Sequence, residues 1–552
     1  MREPTLTELI LWRAEERAPR PAISWARAGA RQSLSWGELA TQVGDLLVGF
    51  DSLELRPGDV VGILAPNRWE WTALDLALMG RGAVVLPIDP AWSERRMTRI
   101  LTHASVRVVC TDDEAAARRL LDAALPDLRA VVLIDPFREP VRGALELETI
   151  RREGQAVRRA RPSLLVERMA AVRPDDVATI IHTGGSTGEP KGVIRTHRNT
   201  ASRGWALFPW EGDPTDPPGD EDLLLDPLSF CHSAGRWWCH TALATGRMVA
   251  FTSTGTEALS LDELQLLRPT HLATVPRVVL SLQKLLAPHV EGLSDDGAFR
   301  ERLRSLVGGR LRRICWGGGP LIPSAKAFFE DRGGIALACG YGGTEAGIVA
   351  IQDDVRRFGT AGQPHGAAVR ISDGEILVRG PGVSPGYFAN PEATARARVA
   401  GGWWRTGDLG RFDELGNLVI LGRANAMFTC NEGTNIDPVE LEQLLESEPL
   451  IREAILVGNR RPYLAALLVL DRERLAADAP GADGGAVQEL IAGRIARMNE
   501  ALEAYEQVRR FAVVEAFPPT VRQVTIANKI RIDREAVEQT FRAEIEALYS
   551  NA

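Results

Sequence analysis

A buried strand that runs directly into a loop of glycine and hydroxyl residues constrains this chain more than any other sequence feature. Val177–Ile181 is an apolar run of strand type, and the loop Thr183–Gly192 has the sequence TGGSTGEPKG. Glycines allow successive backbone N–H groups to converge on an anion, and hydroxyl side chains add donors. The loop is not a Walker A sequence, because Pro190 precedes Lys191. The pattern predicts a phosphate-binding loop, and the alternative is a flexible surface turn.

Short apolar strands alternate with helical segments in the first part of the chain. The sequence predicts helices over Leu39–Phe50 and Trp69–Met79, and strands over Val60–Leu64 and Ala83–Ile88. Strands that are apolar throughout are typical of parallel sheets covered by helices on both faces. We therefore predict an α/β fold whose sheet pattern continues to about residue 350.

Two later changes of pattern predict the domain organisation. Short strands separated by glycine turns indicate a β-rich subdomain at about 355–422. After Arg423 the pattern changes to helices with short strands between them. We predict a large N-terminal domain over 1–423, built of mixed and parallel sheets flanked by helices, and a small α+β domain over 424–552.

Composition excludes several classes of protein. The net charge of −8 over 552 residues is spread without blocks, which argues against a dedicated nucleic-acid binder. Six scattered cysteines without a CxxC pair fit a reducing compartment. No apolar run is long enough to span a membrane, so we predict a cytoplasmic protein. The pairs Cys231–His232 and Cys239–His240 leave a metal site as an alternative, although the usual ligand spacings are absent.

The glycine loop resembles the phosphate-binding signature of the adenylate-forming superfamily, which includes acyl-CoA synthetases, adenylation domains of peptide synthetases and beetle luciferases. The usual signature is Thr-Ser-Gly-Thr-Thr-Gly-x-Pro-Lys-Gly. Further segments resemble the family's other blocks in the same order: Asp226–Gly235, Thr274–Pro276, Gly317–Leu321, Tyr341–Glu345, Gly374–Ile376, Gly380–Pro381, Gly386–Tyr387, Trp404–Asp408 and Gly422–Arg423. The C-terminal segments Gly458–Tyr463, Tyr505–Phe511 and Val524–Arg531 resemble the long-chain fatty acyl-CoA synthetase branch.

The resemblance implies an ATP site. Its glycine loop would hold the β- and γ-phosphates, Tyr341 would offer a flat face to adenine, and Asp408 would accept hydrogen bonds from the ribose hydroxyls, with Arg423 as a neighbouring donor. Thr344 would donate to the α-phosphate, and Glu345 would bind Mg²⁺. The full predicted nucleotide set is Thr183, Gly184, Gly185, Ser186, Thr187, Gly188, Lys191, Gly318, Gly319, Tyr341, Gly342, Gly343, Thr344, Asp408 and Arg423.

The resemblance also implies a catalytic lysine on a mobile C-terminal domain. Lys529 falls on the lysine of the family's last block, where a long ammonium side chain bridges the carboxylate and α-phosphate oxygens. The predicted catalytic set is Lys529, Thr344, Glu345 and His232. Asn425 occupies the family's hinge position, and Gly433 lies in the loop that lines the thiol tunnel. That loop, Met427–Ile436, is one residue longer than the common version, so the adenylation half is better supported than the thioester half.

The acid substrate is predicted only by class. Phe230–Ser233 contains no carboxylate to pair with a substrate ammonium, which argues against an α-amino acid. The predicted acid pocket comprises His232, Trp237, Val275, Cys315, Trp316, Gly317 and Gly343. Trp316 either shortens a tunnel or belongs to the core. Fatty, cyclic, aryl and polyketide-like acids remain open.

The resemblance predicts an AMP-forming carboxylic acid–CoA ligase that uses ATP, Mg²⁺ and CoA. One alternative makes the same adenylate but transfers the acyl group to the phosphopantetheine of an acyl carrier protein. A second alternative is a non-catalytic relative that binds nucleotide or acid. Oxidative or reductive offshoots of the superfamily are a further alternative. A homodimer remains open.

Overall fold

The protein is described by a computed structural model, which covers residues 3–123, 125–183, 191–202, 219, 221–252, 259–352, 358–424, 428–429, 435–436, 438–459, 461–500, 502–503, 506–524 and 530–550. Among these residues, no helix is both long enough and apolar enough to cross a membrane.

The first part of the chain alternates helices and strands, as the apolar runs predict. Capping boxes start the first two helices: Thr5 pairs with Glu8, and Ser35 pairs with Glu38. The elements are α1 Leu6–Arg17, β1 Pro21–Arg27, β2 Ala30–Ser35, α2 Trp36–Gly49, β3 Val60–Leu64, α3 Trp69–Gly80, β4 Val84–Ile88, α4 Glu94–His103, β5 Val106–Thr111, α5 Glu114–Asp122, β6 Ala130–Leu133, β7 Ala144–Glu146, α6 Leu147–Ala160, α7 Ser163–Ala171, β8 Val177–Thr183, β9 Lys191–Thr196 and α8 His197–Ala201.

The alternation continues and then gives way to short strands. The next elements are β10 Leu223–Leu225, α9 Ser233–Ala244, β11 Met248–Phe251, α10 Leu261–Leu267, β12 His271–Thr274, α11 Pro276–Leu286, α12 Asp296–Leu306, β13 Arg313–Gly317, α13 Pro323–Lys326, β14 Ala336–Gly343, β15 Gly347–Gln352, β16 Gln363–Pro364, β17 Ala368–Ser372, β18 Glu375–Arg379, α14 Pro391–Ala397, β19 Arg398–Val399, β20 Trp403–Phe412 and β21 Leu418–Arg423.

The C-terminal part mixes helices with three small sheets among its described residues. Its elements are β22 Phe428–Thr429, β23 Asn435–Ile436, α15 Pro438–Ser447, β24 Ile451–Val457, β25 Leu464–Leu470, α16 Arg472–Asp478, α17 Gly484–Asn499, β26 Val508–Val513, β27 Arg522–Val524, β28 Ile530–Ile532, α18 Arg534–Thr540 and α19 Arg542–Tyr549. Strands β24, β25 and β26 form the largest of these sheets.

Two large sheets organise the first 350 residues. Over the described part of the chain, one has seven strands in the order β7-β6-β5-β3-β4-β8-β9, all parallel except the last, which runs antiparallel to β8. The other has nine strands in the order β16-β15-β14-β13-β12-β10-β11-β1-β2, with a parallel centre and antiparallel edges. The strands are short and apolar, and helices cover both faces of the sheets, as expected for parallel sheets.

One hydrophobic core joins the two large sheets. It contains Ala178 of the seven-stranded sheet and Cys315 of the nine-stranded sheet, with residues of α2, α3 and α9 between them. The sheets therefore share helices. A third, antiparallel sheet contains β17 to β21, and Tyr387, between β18 and α14, forms a β-bridge with Val193 on β9.

Candidate active site

The glycine loop joins the two strands of a hairpin. Thr183 ends β8 and is the register partner of Lys191, which begins β9. Both residues are partly buried. The hairpin brings the ends of the predicted phosphate loop together at the edge of the seven-stranded sheet. Five residues predicted to bind phosphate lie outside the described residues: Gly184, Gly185, Ser186, Thr187 and Gly188.

Three side chains predicted to bind the nucleoside meet at one carboxylate. The hydroxyl of Tyr341 donates to Asp408 Oδ2 at 2.6 Å, and Arg423 Nε lies 2.8 Å from Oδ1. Asp408 on β20 and Arg423 on β21 are register partners, which explains their contact. Burial, together with the negative charge of Asp408, raises the pKa of Tyr341, so its hydroxyl stays a donor.

The predicted magnesium ligand is linked to the end of the glycine loop. Tyr387 donates a hydrogen bond of 3.0 Å to Glu345 Oε1. The ammonium of Lys191 lies 5.2 Å from the centroid of the Tyr387 ring, within cation–π distance. Trp404 packs against the same ring with centroids 5.5 Å apart. Sequence reasoning assigned no role to Tyr387, although it lies in one of the matched segments.

A buried arginine supports the turn that carries Thr344 and Glu345. Arg195 on β9 donates to the carbonyl oxygens of Thr344 at 3.2 Å, Gly382 at 2.6 Å and Asn199 at 3.2 Å. Burial lowers the pKa of Arg195 to about 10, although the charge of Glu345 acts in the opposite direction. Sequence reasoning missed this residue because two of its three partners, Thr344 and Gly382, are distant in the chain.

The predicted acid side meets the predicted phosphate side at two hydroxyls. Ser233 Oγ and Thr344 Oγ1 share a hydrogen bond of 2.8 Å. Ser233 begins α9, and His232, which is buried, occupies the N-cap position of that helix. The structure therefore brings His232 close to the turn that carries Thr344.

Only part of the predicted acid pocket comes together. Trp237 and Cys315 belong to one hydrophobic core, and Val275 packs against it. Trp316 belongs to a different core, where its ring lies 6.2 Å from that of Phe358. Side chains alternate between the two faces of a strand, so Cys315 and Trp316 on β13 must point to opposite faces. The placement favours the core interpretation of Trp316 over a shared pocket wall.

Two glycines of the site are required by the backbone conformation, whether or not a ligand is bound. A Cβ atom at Gly342 would lie 2.1 Å from the carbonyl oxygen of Gly347, so the β14–β15 hairpin itself requires glycine there. Gly318 has a φ of +85°, a conformation that favours glycine. Gly317 and Gly343 end β13 and β14, and Gly319 follows Gly318 in the next loop. The sequence analysis includes Gly342 in the nucleotide set, and the hairpin by itself already requires glycine at this position.

The alternative metal site at the Cys–His pairs does not form. Cys231 Sγ donates to the carbonyl oxygen of Ile88, and Cys239 Sγ lies 3.8 Å from Thr72 Oγ1. The described part of the chain contains no group of three or more His, Cys, Asp or Glu residues able to hold a metal ion.

The predicted catalytic lysine lies between two described strands. Strands β27 and β28 pair antiparallel, with Val524 opposite Ile530, and Lys529 immediately precedes β28. Three predicted residues of the C-terminal part fall outside the described residues: Lys529, Asn425 and Gly433. Lys284 on α11 donates to the carbonyl oxygen of Ile451 at 3.4 Å, which joins the large and C-terminal parts.

Comparison with known families identifies this arrangement. Residues 10–388 match the family described as AMP-binding enzyme, and residues 425–552 match the C-terminal domain of AMP-binding enzymes. The chain belongs to the AMP-binding enzyme family. The resemblance in the sequence motifs is thereby confirmed, and this is an enzyme family, as predicted.

The relatives include a CoA ligase and a carboxylic acid reductase. The long-chain-fatty-acid–CoA ligase FadD15 of Mycobacterium tuberculosis is 30% identical, over 95% of this chain and 93% of the ligase. The carboxylic acid reductase of Mycobacterium marinum is 27% identical over 94% of this chain, which spans 47% of the reductase.

A solved structure has the same fold. The A domain of carboxylic acid reductase from Segniliparus rugosus, in complex with AMP and a co-purified carboxylic acid, superposes with a TM-score of 0.80 at 22% identity and covers 99% of this chain and 94% of that domain. The predicted α/β architecture, with its β-rich sheet and C-terminal α+β part, is confirmed.

Proposed function

We propose that this protein is an AMP-forming carboxylic acid–CoA ligase. The carboxylate of the acid attacks the α-phosphorus of ATP, which forms an acyl-adenylate and releases pyrophosphate. The thiol of CoA then loses its proton, attacks the acyl carbon and displaces AMP. The observation that carries the proposal is the Asp408 carboxylate, held between Tyr341 and Arg423 beside the turn that bears Thr344 and Glu345.

The geometry supports nucleoside binding at Asp408. Asp408 Oδ2 accepts a hydrogen bond from Tyr341, Oδ1 forms an ion pair with Arg423, and both oxygens retain lone pairs for ribose hydroxyls. Thr344, already hydrogen-bonded to Ser233, supplies a hydroxyl to the α-phosphate. The donors of the glycine loop and Lys191 offset the charge of the β- and γ-phosphates. Catalysis at such a site is mainly alignment and charge stabilisation.

Glu345 fits Mg²⁺. One carboxylate oxygen accepts from Tyr387, and the other makes no hydrogen bond within the described part of the chain. Mg²⁺ in nucleotide sites is held by one or two carboxylates together with phosphate oxygens and water. Bound there, the ion would neutralise charge on the phosphate oxygens. Tyr387 fixes the orientation of the carboxylate.

The remaining roles follow the same proposal. Residues 1–423 form the adenylating domain, with a β-rich subdomain at about 355–422, and residues 424–552 form a small mobile domain. Asn425 is its hinge, Lys529 contacts the reacting carboxylate and phosphate, and Gly433 lies along the thiol tunnel. The short β27–β28 hairpin suits a residue that must reach another domain.

The substrate is an apolar carboxylic acid without an α-amino group. Trp237, Val275 and Cys315 form an apolar wall, and His232 lies where this wall meets Thr344. The similarity to a long-chain-fatty-acid–CoA ligase favours a fatty acid.

A carrier-protein thiol is the second candidate acceptor. Two observations favour it: the overall similarity to the A domain of a carboxylic acid reductase, and the extra residue in the Met427–Ile436 loop. Product analysis with CoA and with a phosphopantetheinylated carrier in parallel distinguishes the two acceptors. Thioester on the carrier alone would replace CoA in the proposal.

Acid-dependent exchange of labelled pyrophosphate into ATP tests the adenylation step. We expect exchange with fatty or aryl acids and none with α-amino acids. Lys529→Ala should abolish exchange, whereas Lys326→Ala, a surface lysine paired with Asp331, is the matched control and should retain it. Absence of exchange with every acid, in protein that binds ATP, would favour the non-catalytic alternative.

A further inference from the structure

A charged cluster lies fully buried behind the site, between α3, α9 and β8. Asp75 is 0% exposed, and Arg236 and His240 are each 3% exposed. Arg236 and His240 lie one turn apart on α9, and Asp75 faces them from α3. None of the three belongs to the nucleotide or acid sites described above.

Arg236 is the centre of this cluster. Its Nε donates to Asp75 Oδ2 at 2.8 Å, and its Nη2 donates to the other carboxylate oxygen. Its Nη1 donates to Thr179 Oγ1 at 2.7 Å, while the Thr179 hydroxyl donates to the carbonyl oxygen of Val85 at 2.6 Å. His240 Nε2 lies 2.8 Å from Asp75 Oδ2. The guanidinium is thereby fixed in position and in rotation.

The Asp75 carboxylate of the cluster stays ionised although it is buried. Burial alone would raise the pKa of Asp75, but Arg236 and His240 more than offset this effect and hold that pKa below its ordinary value. Apolar side chains of similar volume often stabilise a core as well as a buried ion pair does. Stability alone therefore does not explain the cluster, whereas its directed hydrogen bonds fix a geometry.

The cluster fixes the position of helix α9 relative to strand β8. Helix α9 lies beside the proposed acid site, and β8 leads to the proposed phosphate site. Ser233, which bonds to Thr344, lies three residues before Arg236 on α9, so the two residues are one helical turn apart. Thr179 lies four residues before Thr183 on β8, the strand that leads into the glycine loop. Arg236 therefore connects the helix beside the acid site to the strand beside the phosphate site.

We propose that Arg236, held by Asp75 and His240, is a positioning residue for adenylation: through Thr179 it sets the spacing between the end of β8 at Thr183 and the Ser233–Thr344 pair. This inference rests on the proposed function. A displacement of about 1 Å between aligned reactants lowers a rate by roughly 100-fold. The cluster therefore acts on turnover rather than on nucleotide affinity, because Tyr341 and Asp408 lie outside it.

Thr179→Val tests the link without removing a charge. It removes the acceptor of Arg236 on β8 and leaves the Asp75–Arg236 contact in place. We expect kcat for acid-dependent pyrophosphate exchange to fall about 10- to 100-fold, while the KM for ATP changes about threefold or less. Thr179→Ser, which keeps the hydroxyl, should recover most of the turnover. Unchanged kcat in the valine variant would overturn the proposal.

The double variant Asp75→Leu/Arg236→Met separates positioning from stability. It replaces the ion pair by apolar side chains, so it should fold where Asp75→Leu alone fails. We expect its thermal midpoint to stay near that of the wild type and its kcat to fall to the level of Thr179→Val. A stable double variant with wild-type kcat would overturn the proposal.

Hydrogen exchange distinguishes failure of this inference from failure of the proposed function. We expect backbone amides of residues 177–183 and 191–196 to exchange at least about fivefold faster in Thr179→Val than in Thr179→Ser. If the wild type catalyses no exchange of pyrophosphate with any acid, the proposed function fails and the amide rates alone decide. Equal amide rates in the two variants would then reject the link between Arg236 and the hairpin.

Discussion

One carboxylate–guanidinium pair lies in the proposed nucleoside site and another lies buried behind it, and the two pairs differ in their access to water. In the buried pair, Asp75 and Arg236 have side chains that are 0% and 4% exposed. In the open pair, the Asp408 side chain is 10% exposed and that of Arg423 is 60% exposed. The first pair connects elements of the large sheets, and the second lies at the edge where the nucleoside is proposed to bind.

The difference in exposure indicates that the two pairs have different functions. A buried ion pair has lost its water and has only its protein partners, so it fixes geometry but cannot bind a ligand. An open pair keeps contact with solvent and can exchange water for ribose hydroxyls. The same type of ion pair thus positions protein elements at Asp75–Arg236 and is proposed to bind the nucleoside at Asp408–Arg423.

We expect the largest difference between the two pairs in the free energy of unfolding, when the aspartate of each pair is replaced by asparagine. Asp75→Asn leaves Arg236 without a counter-charge in the interior, and we expect a loss of about 3–5 kcal/mol in the free energy of unfolding. Asp408→Asn removes charge from a pair whose arginine side chain is 60% exposed, and it should cost about 1 kcal/mol or less. Urea unfolding measures both values. Equal losses in the two variants would remove the distinction between the pairs.

The same two variants should differ in the opposite sense in nucleotide affinity. Asp408→Asn replaces a charged acceptor by a neutral one, and hydrogen bonds to charged groups contribute about 1.5–3 kcal/mol. We therefore expect the Kd for ATP to rise about tenfold or more. Folded Asp75→Asn should bind ATP as the wild type does, as measured by calorimetry. Weaker binding in both variants would place the buried pair in the nucleotide site.

The buried region also predicts a pH dependence of stability. His182 on β8 is 2% exposed, and burial, assisted by the positive charges of His103 and Arg96, lowers its pKa to about 3. An unfolded histidine titrates near pH 6.5, so below that pH the unfolded state binds the extra proton and stability falls as pH decreases toward 3. Relative to His182→Phe, the wild type should lose about 2 kcal/mol between pH 7.5 and pH 5.

Urea unfolding at a series of pH values measures this effect. The stability of the wild type and of His182→Phe should change in parallel above pH 7.5 and diverge below about pH 6.5. Parallel curves down to pH 5 would show that His182 takes up its proton in the folded state. The region around β8 would then be more hydrated than its burial indicates.

The smallest effect is expected at the contact between Glu345 and Tyr387. Both residues are partly buried, so their exposure is intermediate. Tyr387→Phe removes one hydrogen bond to the carboxylate and keeps the ring that faces Lys191. A single hydrogen bond to a charged group contributes about 1.5 kcal/mol at the lower end, so the Mg²⁺ concentration for half-maximal pyrophosphate exchange should rise about tenfold. Tyr463→Phe, in the C-terminal part, is the control. Equal Mg²⁺ dependence in all three proteins would contradict the orienting role of Tyr387.

Local sequence patterns predicted the bounds of β3 and the start of α3 at Trp69, but not the start of α2. Val60–Leu64 forms a strand with the bounds its apolar run predicts, because every residue in it is buried. The helix predicted over Leu39–Phe50 begins three residues earlier, at Trp36, because Ser35 and Glu38 form a capping box. Trp316 shows a signal that was present but not used: strand alternation alone places it opposite Cys315.

Contacts between distant segments could not be predicted in this way. Asp75 is an acid in the middle of the apolar helix α3, beyond the first-turn Glu70, and this position is itself a signal of a buried partner. That partner, Arg236, lies 161 positions away, and only the packing of α3 against α9 brings the two together. The same applies to Arg195 and Thr344, which are 149 positions apart. The motifs predicted the residues that are proposed to face the ligand, whereas tertiary packing determines the residues that hold them in place.

The most direct test of the central claim is a crystal structure of the protein with a non-hydrolysable acyl-adenylate analogue. The account predicts the ribose hydroxyls on Asp408, the adenine against Tyr341, the phosphate mimic beside Thr344 and the acyl chain along Trp237. An analogue bound away from Asp408, or with its ribose turned from the Tyr341–Arg423 edge, would contradict it.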